Sequence, residues 1–68
     1  MHYEVFYIDW KTGWAVALFD EHHNQIGDAD FCFRRCEAIA LAKLINDGNE
    51  IWVFTKTGKK TILKQGKQ

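Results

Sequence analysis

At Arg34 the chain changes its period. Upstream, stretches of aromatic and β-branched residues follow the two-residue repeat of strands. Downstream, Ala38, Leu41, Ala42 and Ile45 recur at the spacing of one helical face, with Leu44 at its flank and Lys43 and Asn46 turned away. The helix is short, because Asp47-Gly48-Asn49 is a stop in which Gly48 can take the left-handed conformation that ends a helix. Residues 3–8, 14–19 and 25–33 read as three strands joined by a turn at 9–13 and a polar loop tip, DEHHN, at 20–24; Gly27 marks a bulge or bend. After the helix, residues 50–55 and 59–64 read as a hairpin turning at Lys56-Thr57-Gly58, and residues 65–68 are expected to fray. The expectation is an α+β domain over residues 1–68: an antiparallel sheet of about five strands, in the chain order strand, strand, strand, helix, strand, strand, with the helix packed on one face.

A chain of 68 residues buries only roughly 60% of its unfolded surface, so a few large side chains must supply its stability. Five Phe, three Trp and two Tyr provide them, in a single core. One helix covers one face of a sheet, yet in the first strand Tyr3, Val5 and Tyr7 point one way while Phe6, Ile8 and Trp10 point the other. Aromatics therefore stay uncovered whichever face the helix takes. Either sheet curvature and long side chains shield them, or they form a partner or self-association surface. Tyr3, Tyr7, Trp10, Trp14 and Trp52 are the candidate protein contacts, since aromatic anchors dominate interface energetics.

Cys32 and Cys36 lie four residues apart, ten residues after the His22-His23 pair. Zinc asks for about four convergent ligands, usually in two close pairs, whereas adjacent His22 and His23 tend to point to opposite sides. No metal site and no cofactor is expected. Cys36, beside Arg34 and Arg35 at a helix start, would have its thiolate favoured, but a nucleophile also needs a base and an oxyanion site in reach. Thr57-Gly58-Lys59-Lys60-Thr61 lacks the first glycine of a phosphate loop and precedes a strand, so it reads as a hairpin tip. No catalytic residue is assigned and the chain is expected not to be an enzyme. No apolar run of about 18 residues is present and the first ten alternate, which argues against a membrane span or leader and for a cytoplasmic protein with reduced cysteines.

Net charge is zero, but residues 1–33 carry −5 (six acidic side chains against Lys11) and residues 34–68 carry +5 (eight basic against three acidic). Arg34, Arg35, Lys56, Lys59, Lys60 and Lys64 are candidate nucleic-acid contacts, with Trp52 or Phe54 available to stack a base. Against that stand the acidic first half and a pI near 6.8. Lysines of this kind also blunt an edge strand.

Gly13-Trp14-x-Val16, Phe33, the Glu37-Ala38-Ile39-Ala40-x-Ala42 helix and the closing hairpin with Glu50, Ile51, Val53 and Gly58 form a pattern over roughly residues 13–63. In that pattern the chain resembles a family of small bacterial domains of unknown function. Where relatives place Thr or Ser to cap the helix, this chain has Arg34 and Arg35, so either Asp30 or a water caps it or the helix start is stabilised elsewhere. It also adds an aromatic strand at 1–10. The resemblance implies an α+β fold and no mechanism. The order strand, strand, strand, helix is similar to the arm-binding domain of phage-type integrases, and size and strand content resemble phage-borne anti-CRISPR inhibitors. The functional expectation is a non-catalytic module binding a protein partner or its own copy, as a homodimer, through an aromatic sheet face. The alternatives are a nucleic-acid-binding module using the basic hairpin, or a phage-type inhibitor.

Overall fold

The computed structural model describes residues 1–63. Its elements are β1 (His2–Ile8), a 3-10 turn (Asp9–Lys11), β2 (Gly13–Phe19), β3 (Gln25–Cys32), α1 (Arg35–Ile45), β4 (Glu50–Phe54) and β5 (Lys60–Leu63). Lys64, Lys67 and the expected fraying at 65–68 lie outside the described residues. The spatial order of the five strands is β3-β2-β1-β4-β5, so the aromatic first strand is the centre of the sheet.

The fold is α+β with one helix, but the sheet is mixed and not antiparallel. β1 pairs antiparallel with β2 and parallel with β4, Val5 facing Val16 on one side and Val53 on the other. Short loops favour antiparallel neighbours, and that argument governs β1, β2 and β3. It fails at α1, because a crossover helix can return the chain to the end of the sheet where it began and lay the next strand parallel. The 3-10 turn is a second difference: it takes Trp10 off the strand on which alternation placed it.

The helix lies over Val5, Val16, Ile51 and Val53, with Trp14 beneath it and Tyr3, Tyr7 and Leu63 packed around. Ala38 and Ala42 are fully buried, and their small side chains let the helix axis approach the sheet closely. Arg34 is the N-cap without any side-chain hydrogen bond, so Asp30 does not cap the helix. At the other end Asn46, which is buried, and Asn49 clasp each other: each side-chain amide donates to the other's carbonyl, at 2.6 and 2.9 Å. Gly48 follows with φ +85, the left-handed residue the sequence required, and Asp47 precedes it with φ 52. The register between β2 and β3 slips between Val16 and Leu18, opposite Gly27 at φ +75.

Candidate functional site

The helix-free face of the sheet is where apolar side chains lack a second layer. Alternation places His2, Glu4, Phe6 and Ile8 there from β1, paired with Phe19, Ala17, Ala15 and Gly13 of β2. β4 adds Glu50, Trp52 and Phe54, β5 adds Lys60 and Ile62, and β3 adds Phe31 opposite Ala15. An uncovered face normally turns polar. This one is mostly apolar, with rings from Phe6, Phe19, Phe31, Trp52 and Phe54, and Ala15 and Ala17 among them are buried although no element packs above them among the described residues.

At one end of this face the rings are open. Trp10 is 80% and Phe33 76% exposed, and Phe31 meets Phe33 edge to face at 5.2 Å between centroids. The Lys11 ammonium stands 5.2 Å from the Trp10 ring and 5.1 Å from Phe31. Phe31 lies across Gly13, where any side chain would collide with it. Because β1, β3 and β4 all run the same way, their C-terminal ends share this end of the sheet. Lys11, Arg34, Arg35, Lys56, Lys59 and Lys60 gather there, with Asp9 and Glu37 as counter-charges. The opposite end carries Asp20, Glu21, Asp47 and Glu50, with Lys43 at the end of α1. Among the described residues charge is thus divided along the strands, with Glu4, Asp28 and Asp30 between the two ends.

That acidic end holds a second cluster. His2 Nε2 lies 2.8 Å from Glu4 Oε2, and His23 Nε2 lies 3.5 Å from the same oxygen. The Glu4 side chain is only 7% exposed and that of His2 only 11%, whereas His23 is 63% exposed at the rim. The His2 ring stacks on Trp52 at 3.6 Å and lies parallel to Phe19 at 5.9 Å; His23 stacks on Phe19 at 4.9 Å. Trp52 is itself held by its indole N–H, which donates to Glu50 at 3.1 Å, and by Lys60, 4.2 Å from its ring. The turn that delivers His23 is organised by Asp20, whose carboxylate accepts the N–H of His22 and of Asn24, each at 2.9 Å. The Asn24 N–H, with that of His22, holds the Asp20 carboxyl below its usual range.

Several sequence candidates change place. Trp14 is core and no contact residue: it is 6% exposed under the helix, where Tyr7 meets it edge-on at 5.2 Å and Arg35 lies 5.7 Å from its ring. Tyr3 and Tyr7 share that helix-covered face, because the alternation that puts Val5 in the core takes them with it. Trp10 is free in the 3-10 turn, and Trp52 is half-buried on the helix-free face. Arg34 and Arg35 stand at the same end of the sheet as Lys56, Lys59 and Lys60 but across its width, beyond β3 instead of β4. Cys32 faces the helix and Cys36 is exposed; burial, with Glu37 and Asp30 nearby, pushes the Cys32 thiol up.

Sequence reasoning missed Phe31 and Phe33 as an exposed pair and His2, Glu4 and His23 as a set. The i, i+2 spacing of His2 and Glu4 was a usable signal in a strand. His23 joins them only through the β1–β2 register and its own left-handed backbone, φ 64. Comparison with protein-family models, curated proteins and solved structures finds no match, so the reading rests on this geometry.

Proposed function

We propose that the chain is a small non-catalytic binding module that works through protein–protein contact on the helix-free sheet face, and that the surface it meets is a second copy of itself. The observation that carries this reading is the ring-bearing face that no described element covers, ending in exposed Trp10, Phe31 and Phe33. Charge selects the occupant. A two-fold axis across the strands, laying two such faces together, brings the basic end of each copy over the acidic end of the other. The anchors are Trp10, Phe31, Phe33 and Trp52, where large rings are removed from water.

Size-exclusion chromatography with light scattering is the test, at ~50 and ~500 mM salt, since screening weakens only the charged rim. The expected result is a species of twice the 8.0 kDa chain mass at both salts. Phe33→Asp or Trp10→Asp is expected to return it to a monomer with an unchanged circular dichroism spectrum. A wild-type monomer at ~100 µM, where a standard-size interface is normally saturated, refutes the reading.

One observation favours a second reading. Lys11 over Trp10 and Phe31, among the lysines and arginines of that end, is the combination of stacking surface and phosphate-binding charge that single-stranded nucleic acid uses. Binding of a mixed oligonucleotide pool that falls steeply with salt and with Lys59→Glu and Lys60→Glu would support it. A monomer indifferent to nucleic acid would point to a foreign protein partner, as in the inhibitor format.

A further inference from the structure

We propose that His2, Glu4 and His23 form a binding site for one first-row divalent transition-metal ion, for which Zn2+ is the probe. The three ligand atoms lie within 4.8 Å of one another, two of the separations being 2.8 and 3.5 Å. Two atoms each about 2.1 Å from one ion stand roughly 3.0 Å apart as octahedral neighbours and roughly 3.4 Å apart in a tetrahedron. Both distances to Glu4 Oε2 are close to those values, and an ion would hold the two imidazole nitrogens, which lie within 4.8 Å, at a similar separation by turning the exposed His23. In binding, Nε2 gives up the proton it shares with Glu4 Oε2 and Nδ1 takes one up from solvent, so that the neutral imidazole meets the ion through its Nε2 lone pair with no net change in protons.

Three features argue for an ion beyond proximity. First, Glu4 is a nearly buried carboxylate on the central strand, between Ala17 and Trp52, aimed at two imidazoles. Buried carboxylates are costly unless paired or metal-bound, and a neutral imidazole offers a hydrogen bond without the balancing charge a cation brings. Second, both imidazoles have their planes fixed before any ion arrives: His2 is stacked on Trp52, and His23 on Phe19. Metal sites depend on such support for orientation. Third, the ligands come from separate parts of the chain, β1 and the β2–β3 turn, so an ion would tie that turn to the middle of the sheet.

The donor set selects the class of metal. Two imidazole nitrogens and one carboxylate oxygen suit Zn2+, Co2+, Ni2+ or Cu2+, whereas Ca2+ and Mg2+ prefer oxygen. Three protein ligands leave at least one coordination position for water or a donor from a docked surface, which His23, 63% exposed, would leave within reach of solvent. Neither cysteine contributes, because Cys32 faces the helix on the other side of the sheet and Cys36 lies on that helix. The site shares the helix-free face with the proposed self-association surface, Trp52 included, but all three ligands come from one chain.

The experiment uses the full chain stripped of metal, titrated with Zn2+ by calorimetry and with Co2+ by visible absorption. One ion per chain is expected, with a Co2+ spectrum lacking thiolate charge-transfer bands and a melting temperature that rises with Zn2+. His23→Ala removes a rim ligand that the fold does not need. It is expected to weaken binding by more than the roughly 10–100-fold that losing a residue behind a ligand costs, and to abolish the melting shift. Glu4→Gln, which keeps the hydrogen bond to His2 but not the charge, is expected to do the same. A double Cys32→Ser, Cys36→Ser variant is expected to bind as wild type. No Zn2+ binding by the folded wild type overturns the proposal. So does binding that survives both His23→Ala and Glu4→Gln, or that is lost in the cysteine variant instead.

Discussion

Gly13→Ala is expected to destabilise the protein through one ring. Gly13 lies in β2 on the helix-free side, and it is not among the residues with positive φ, so alanine suits its backbone. Space is the obstacle. A methyl group there would stand 2.2 Å from Phe31 Cζ, 2.5 Å from Cε1 and 3.0 Å from the carbonyl oxygen of Cys32. Ordinary carbon contacts need about 3.5–4.0 Å, so the ring must retreat by more than an ångström while β3 shifts slightly. Overpacking of a closed core costs about 1–3 kcal/mol, and the cost here falls toward the lower end because Phe31 is exposed and its ring can swing outward. Loss of glycine's freedom in the unfolded chain offsets about 0.4–1 kcal/mol of it. A net cost of up to about 1 kcal/mol remains, from a reserve of about 3–10 kcal/mol for a chain of this size. At about 4–8 °C per kcal/mol, the melting temperature drops by up to about 8 °C.

Urea unfolding followed by tryptophan fluorescence measures this, with an unchanged slope showing that the same surface is exposed on unfolding. A double-mutant cycle with Phe31→Ala tests the mechanism. Without the ring only the Cys32 oxygen opposes the methyl group, so Gly13→Ala should cost less than half as much in that background. Equal cost in both backgrounds, or a Gly13→Ala protein as stable as wild type, would refute the argument.

Two further outcomes follow from the packing. Ile51→Ala, at a fully buried position facing the helix, is expected to cost about 2–5 kcal/mol and lower the melting temperature by at least about 8 °C, read by far-ultraviolet circular dichroism; a wild-type melting temperature would contradict the core assignment. Iodoacetamide at mildly alkaline pH should label Cys36, which is exposed, well before Cys32. The Cys32 thiol is held protonated to higher pH by burial and by Glu37 and Asp30, so its labelling should rise later as pH increases; peptide mass spectrometry at early times checks the order.

Much of the fold was legible because local signals agreed. The period change at Arg34, the Asp47-Gly48-Asn49 stop and the bend at Gly27 are statements about neighbouring residues, and backbone geometry enforces them locally. The candidate contacts fared less well. Tyr3, Tyr7 and Trp14 share a face with Val5 and Val16, but alternation divides a strand into two faces without saying which one the helix takes. Trp10 continued the alternation on paper, and the 3-10 turn removed it from the strand.

The sequence by itself determined the α+β composition, the single helix and the aromatic surplus that one helix cannot cover, since these depend on periodicity and residue counts alone. Tertiary structure decided that β4 lies parallel to β1, because the side on which a crossover returns depends on what the helix must bury. The same decision set the three same-direction strands that gather Lys11, Arg34, Arg35 and Lys56 at one end. It also brought His23 over Glu4: side chains nineteen residues apart in the chain meet only when the β1–β2 register pairs His2 with Phe19 and the turn beyond folds back across the face.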